Sequence, residues 1–199
     1  MGAGKIAVVV VAAVAASAAA GALLITEQST SKTEEFIADI GGPFTLTDTS
    51  GATVTHDDLK GRPHAVFFGY TFCPDVCPTT LFEMSNYLEG LGDKAEDLGV
   101  YFISVDPKND TAERLDMYIN AFDSRIVGLT GPREAIDEAV REYRIYYKVH
   151  PEDENGFQLI DHSAHVLLFD ENAHFQGQIA YGEDPEVALA KLENLVNGT

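Results

Sequence analysis

The residues best suited to chemistry in this 199-residue chain are its two cysteines, in the stretch Gly69-Tyr70-Thr71-Phe72-Cys73-Pro74-Asp75-Val76-Cys77-Pro78. Before them runs an almost continuously apolar segment, His64 to Tyr70; after them Leu81, Met84, Leu88 and Leu91 recur at helical spacing. The pair therefore falls where a buried strand turns into a helix. Four positions apart on such a turn, two thiols are held close with their sulfurs reachable, and the amides of the helix N-terminus favour thiolate over thiol. Two prolines and an aspartate in the same stretch are poor core material, which argues against two inert buried cysteines. Dithiol-disulfide exchange and ligation of a soft metal are both open to such a pair.

Periodicity supplies the elements that must position it. Phe44-Thr45-Leu46-Thr47 and Thr53-Val54-Thr55 alternate on either side of Asp48-Thr49-Ser50-Gly51, which predicts a hairpin. Asp57 to Gly61 reads as a short helical turn closed by glycine. The strand His64–Tyr70, the helix after Pro78 and a second apolar run, Val100 to Val105, form a βαβ unit. Helices are predicted over 111–122 and 132–141, Pro132 suiting a first helical position, with a short strand at 126–129 between them. Val166–Phe169 and Phe175–Tyr181 read as strands joined through Asp170-Glu171-Asn172-Ala173, and 185–196 as a last amphipathic helix. The expected fold class is α/β, a mixed sheet flanked by helices on both faces, with the hairpin as an N-terminal extension.

Ahead of this domain Ile6 to Ile25 form twenty consecutive uncharged positions, enough helix to span roughly 30 Å of bilayer core. Residues 1–26 are expected to be a single transmembrane anchor, with a cleaved signal peptide as the alternative because Ser17 to Ala22 are small. Lys5 before the run and Glu27, Glu34 and Glu35 after it place the remainder on the extracytoplasmic, periplasmic side. No cysteine lies near the segment to carry a lipid. Residues 27–39, polar and rich in Ser, Thr and Glu, read as a tether, and 40–199 as one domain. The chain carries 32 acidic against 13 basic residues, a net charge of −19, of which −17 falls on 40–199. With no lysine- or arginine-rich stretch, that balance excludes nucleic acid as a partner. Two cysteines exclude a disulfide-rich scaffold.

The stretch Phe68 to Thr80, with its Cys73-Pro74-Asp75-Val76-Cys77-Pro78 core, closely resembles the signature of the Sco/SenC proteins. Ile103 to Thr111, Gly128 to Gly131, Tyr143 to Lys148 and Asp161-His162-Ser163 match further segments of that family in its order, over nearly the whole soluble domain. The resemblance implies a thioredoxin-like, membrane-anchored copper protein that assists assembly of the CuA centre of cytochrome c oxidase. It also implies copper ligation by Cys73, Cys77 and His162. Phe72 departs from the pattern, since many members carry His there, but that His is not among the family's copper ligands.

Coordination chemistry agrees with this set. Cuprous ion is soft and prefers thiolate, and two sulfurs with one imidazole also accept the cupric state once a further ligand is added. Structural zinc would demand a fourth protein ligand, for which His165 is the nearby candidate. His162 and His165 both lie near the start of the strand at Val166, and three residues apart on an extended chain they point to opposite faces, which argues against zinc. Asp161 is expected to orient a loop or the imidazole, and Asp75 to be a turn residue or a charge facing a partner. His56, His64, His150 and His174 read as surface or sheet residues. The expected function is a metallochaperone that delivers copper to, or reduces the thiols of, the CuA-bearing subunit. Its further partners are a copper donor and a thiol reductant. The alternative is a membrane-anchored thiol-disulfide oxidoreductase or peroxidase of the same fold, against which stand three rather than two residues between the cysteines.

Overall fold

The structure, a computed structural model, describes residues 40–154 and 158–199. The expected anchor and tether lie outside these residues; among the described residues no helix is long and apolar enough to cross a membrane. The two apolar runs become β3 (His64–Gly69) and β4 (Gly99–Ser104), parallel neighbours with every residue buried. Strands so covered need helices on both faces, and the chain supplies them. The hairpin strands β1 (Thr45–Asp48) and β2 (Thr53–Thr55) come first, and β5 (Ile126–Thr130), β8 (Val166–Phe169) and β9 (Phe175–Ile179) complete a seven-stranded sheet in the order β2-β1-β5-β4-β3-β8-β9. β3, β4 and β5 run parallel, while β1, β8 and β9 pair antiparallel with their neighbours.

Four helices, α1 (Val76–Leu91), α2 (Ala112–Asn120), α3 (Arg133–Glu142) and α4 (Pro185–Asn197), cover this sheet. Phe67 and Phe102 project to the α1 and α2 side, their rings 5.6 Å apart, and Tyr118 of α2 closes on Phe102 at 6.2 Å. Gly128 lets α2 sit that close, since a Cβ there would stand 2.6 Å from Ile119 and 2.9 Å from Leu115. α4 lies along α1. On the opposite face Phe68, Phe44 and Phe169 surround the ring of Tyr143, which caps the C-terminus of α3. Beyond Tyr143, Arg144 takes a left-handed φ of 54°, and the Ile145 amide reaches back to the Val140 carbonyl at 2.9 Å. This six-to-one bond ends the helix and turns the chain away from the sheet.

Three details differ from the sequence reading. The hairpin is not an appendage: β1 pairs with β5, so it forms one margin of the main sheet. Pro132 caps α3 and Arg133 is its first residue. A second, two-stranded antiparallel sheet, β6 (Tyr147–Val149) with β7 (Ile160–His162), was not expected. At the other margin β9 is paired irregularly with β8 around Leu168 and Phe169, Gly177 has a φ of 147°, and Lys191 donates to the Gln178 carbonyl at 2.8 Å.

His64 opens β3 fully buried, stacked on Phe169 at 5.1 Å, with Nδ1 donating to the Arg62 carbonyl at 3.3 Å and Nε2 without a partner. Burial pulls its imidazole down from 6.5 to about 4. Between those values the unfolded chain takes up a proton that the folded protein refuses, so stability falls as pH falls through this window, by up to about 3 kcal/mol. Urea unfolding between pH 7.5 and 4.5 is expected to show that loss, and His64→Phe to flatten it. An unchanged slope in the variant would assign the effect to another group.

Candidate metal centre

Cys73 Sγ, Cys77 Sγ and a ring nitrogen of His162 all lie within 4.8 Å of one another, the one such cluster of three His, Cys, Asp or Glu among the described residues. Cys77 stands in the first turn of α1, and Cys73 precedes the helix by three residues in an irregular turn. The Cys73 amide donates to the Tyr70 carbonyl at 3.2 Å, and the Cys77 amide lies 3.5 Å from the Cys73 sulfur. The thiols thus meet because a turn curls back over the helix start; they do not share a helix face. Their exposures also differ from the expectation that both are reachable: Cys73 is half-buried, whereas Cys77 is fully buried. Gly69 makes room for it, since a Cβ there would stand 2.7 Å from both the Cys77 sulfur and the Phe102 ring.

Different surroundings split the two thiols. Cys73 is held far below the ordinary thiol range, first by a hydrogen bond from the Cys77 thiol and, against the cost of burial, by the amides of Asp75 and Cys77. Cys77 is pushed up by burial and then by the neighbouring Cys73 charge. The pair therefore rests as an accessible thiolate beside a buried thiol.

His162 reaches the thiols from another element. Its Nε2 lies 3.3 Å from the Cys77 sulfur, and Nδ1 donates to the Ser163 carbonyl at 2.9 Å. That bond sets the tautomer and turns the Nε2 lone pair toward the sulfurs, as a ligating imidazole requires. Ser163 is itself fixed: its amide donates to the Tyr146 carbonyl at 2.9 Å and its hydroxyl accepts from the Tyr146 amide at 3.0 Å. The rings of Tyr70 and Phe67 flank the imidazole at 5.9 and 6.0 Å, and the Tyr70 hydroxyl accepts from the Ile160 amide at 3.3 Å.

His165 is absent from this cluster, though not for the reason the spacing suggested. His162 ends β7, a strand separate from β8, and its pairing with Tyr147 of β6 sets its direction. His165 falls in the link between the two strands, where burial lowers its imidazole. Asp161 accepts from His150 Nε2 at 2.7 Å and so braces β7 against the chain leaving β6. An ion pair between Lys108 and Glu152 ties the same excursion to the loop after β4. Asp75 is exposed at the helix cap, and Phe72, 46% exposed, lies under the Arg114 guanidinium at 4.9 Å. Sequence reasoning missed Tyr70 and Ser163 as supports of the site, although both fall inside the matched segments Phe68 to Thr80 and Asp161 to Ser163.

A family model described as SCO1/SenC matches residues 32–197. The human protein SCO1 homolog, mitochondrial, is 38% identical over 138 residues, 68% of this chain, and the chain spans only 46% of that relative. Protein SenC of Rhodobacter capsulatus is 40% identical over 69% of this chain and 62% of its own length. Among solved structures, Bradyrhizobium japonicum ScoI with copper bound superposes with a TM-score of 0.73 at 42% identity, covering 78% of this chain and 99% of that one.

The split environment has a direct consequence for reactivity. In the reduced protein at neutral pH, iodoacetamide is expected to alkylate Cys73 at least about tenfold faster than Cys77, as read by tandem mass spectrometry. Cys77→Ala, which removes the largest stabiliser of the Cys73 thiolate, should move the pH at which that reaction dies away upward. Equal rates at the two sulfurs would contradict the asymmetry.

Proposed function

Since the chain belongs to the SCO1/SenC family, we propose that it is a copper chaperone that delivers copper to, or reduces the thiols of, the CuA-bearing subunit of cytochrome c oxidase. The family is one of copper-binding proteins involved in cytochrome c oxidase assembly. The observation that supports the reading best is His162, an imidazole with Nδ1 satisfied and Nε2 3.3 Å from a sulfur. A dithiol exchanger has no use for an imidazole locked in this way. Two thiolates and one imidazole suit cuprous ion and, with a further ligand, cupric ion. Among the described residues no fourth His, Cys, Asp or Glu joins the cluster to close a structural zinc site.

Transfer then follows from exposure. A recipient thiolate meets the half-buried Cys73 first, while Cys77 and His162, behind it, keep hold of the metal until a second recipient ligand arrives. The pair must be reduced to bind, so an extracytoplasmic location calls for a dedicated thiol reductant as well as a copper donor. The run Ile6–Ile25 supports that location, with residues 40–199 held outside the cytoplasm. A second reading, a thiol-disulfide oxidoreductase or peroxidase, is favoured by the accessible Cys73 thiolate beside its buried partner.

Copper titration of the reduced protein separates the two. Wild type is expected to bind copper, and blocking both thiols to abolish binding. His162→Ala should weaken cupric binding by at least roughly 100-fold, about 2.7 kcal/mol, and cuprous binding much less. His165→Ala should leave both nearly unchanged, and dithiol-disulfide exchange should survive either change. Full cupric affinity in His162→Ala would sink the chaperone reading and leave the exchange reading standing.

A further inference from the structure

We propose that Asp110 is a positioning residue for the metal centre, holding through Thr71 the turn that presents Cys73 and the tyrosine that backs His162. The proposal rests on the copper reading above, which it deepens. Asp110 is 1% exposed and, among the described residues, has no ion-pair partner. Its Oδ2 accepts from the Thr71 amide at 3.0 Å and the Ser104 hydroxyl at 2.6 Å, and its Oδ1 accepts from the Thr71 hydroxyl at 2.6 Å. Burying a carboxylate without a cation costs several kcal/mol before its hydrogen bonds are counted, so a wholly apolar turn would be the cheaper way to join β3 to α1. What the carboxylate adds is a double grip on one residue, taking both the main chain and the side chain of Thr71.

Thr71 is the point from which both halves of the site are reached. One residue back is Tyr70, whose ring meets the His162 imidazole edge-on and whose hydroxyl accepts from the Ile160 amide. Two residues on is Cys73, its amide bonded to the Tyr70 carbonyl. The grip is itself anchored. The Asp110 amide donates to the Asp106 carbonyl at 2.9 Å, its carbonyl accepts from the Thr130 hydroxyl of β5 at 3.3 Å, and the Asp106 amide donates to the Ser104 hydroxyl at 3.1 Å. One carboxylate therefore refers the Cys73 turn to the rigid ends of β4 and β5. Ligand supports of this kind are worth roughly 10–100-fold in metal affinity.

The test uses the full-length reduced protein with three variants, Asp110→Ala, Asp110→Asn and Thr71→Val. The readouts are cupric affinity, the sulfur-to-copper charge-transfer band and the equilibrium of the Cys73–Cys77 disulfide with glutathione. Asp110→Ala is expected to weaken cupric binding by about 10–100-fold, shift the band and move the glutathione equilibrium. Asp110→Asn should restore most of each, because its oxygen can still accept from the Thr71 amide and Ser104 while its NH₂ donates to the Thr71 hydroxyl. Should Asp110→Ala fail to fold, Thr71→Val, which removes only the hydroxyl arm, is expected to shift the band and the glutathione equilibrium in the same direction. A folded Asp110→Ala with wild-type affinity, band and equilibrium would overturn the proposal, as would a silent Thr71→Val. If wild type itself bound no copper, the functional reading would fall, and the glutathione equilibrium would still decide the role of Asp110.

Discussion

The 3.3 Å approach of the His162 imidazole to the Cys77 sulfur joins residues 85 positions apart, and most of the molecule serves to bring those two atoms together. Neither partner can make the contact alone. Cys77 must be fixed from below, which Gly69 and Phe102 do by leaving its sulfur a slot on the sheet. His162 must be delivered from the side, which requires the chain after α3 to leave the main sheet, form β6 and β7, and return. The left-handed turn at Arg144 starts that excursion, and the Tyr70 hydroxyl receives it. Closing so long a loop is entropically affordable because β3, β4 and β8 are already paired around its ends.

The two sulfurs show how packing becomes chemistry. Nothing in the covalent structure distinguishes them, yet one sits in the core and the other on an irregular turn at its rim. The hydrogen bond from Cys77 lowers Cys73 against the cost of its burial, while deeper burial raises Cys77, and their acidities part. A low-acidity buried thiol beside an accessible thiolate gives the site an inside and an outside, so it can be approached in only one order.

Much of this was legible in the chain. β3, β4 and α1 announce themselves because a strand buried on both faces must be continuously apolar and a helix on it must repeat every three to four residues. The cysteine turn follows from their junction, and His162 from the family match. Less visible were the features whose cause lies across the fold. β6 and β7 are three residues each, too short for periodicity to register, and their pairing comes from the Ser163–Tyr146 bonds that bring them together. The burial of Cys77 depends on a glycine in β3 and a phenylalanine in β4, and the role of Asp110 on a threonine 39 positions earlier. The sequence set His165 aside by an argument about strand faces; in the structure it lies outside the cluster because it falls in the link after the strand that His162 ends.

The margins of the large sheet bear on how copies of the protein treat one another. A long, flat, unpaired strand is a template on which a second molecule can add its own, and crowding turns that into irreversible clumping. Here one outermost strand, β2, is three residues long. The other, β9, is paired irregularly with β8, carries Gly177 at a φ of 147°, and has its Gln178 carbonyl occupied by Lys191. Neither border offers the run of free amides and carbonyls that cross-molecule pairing needs, and the charge of −17 on residues 40–199 adds mutual repulsion. Colloidal stability at high local concentration is thus built into the same β8–β9 ribbon that flanks β3.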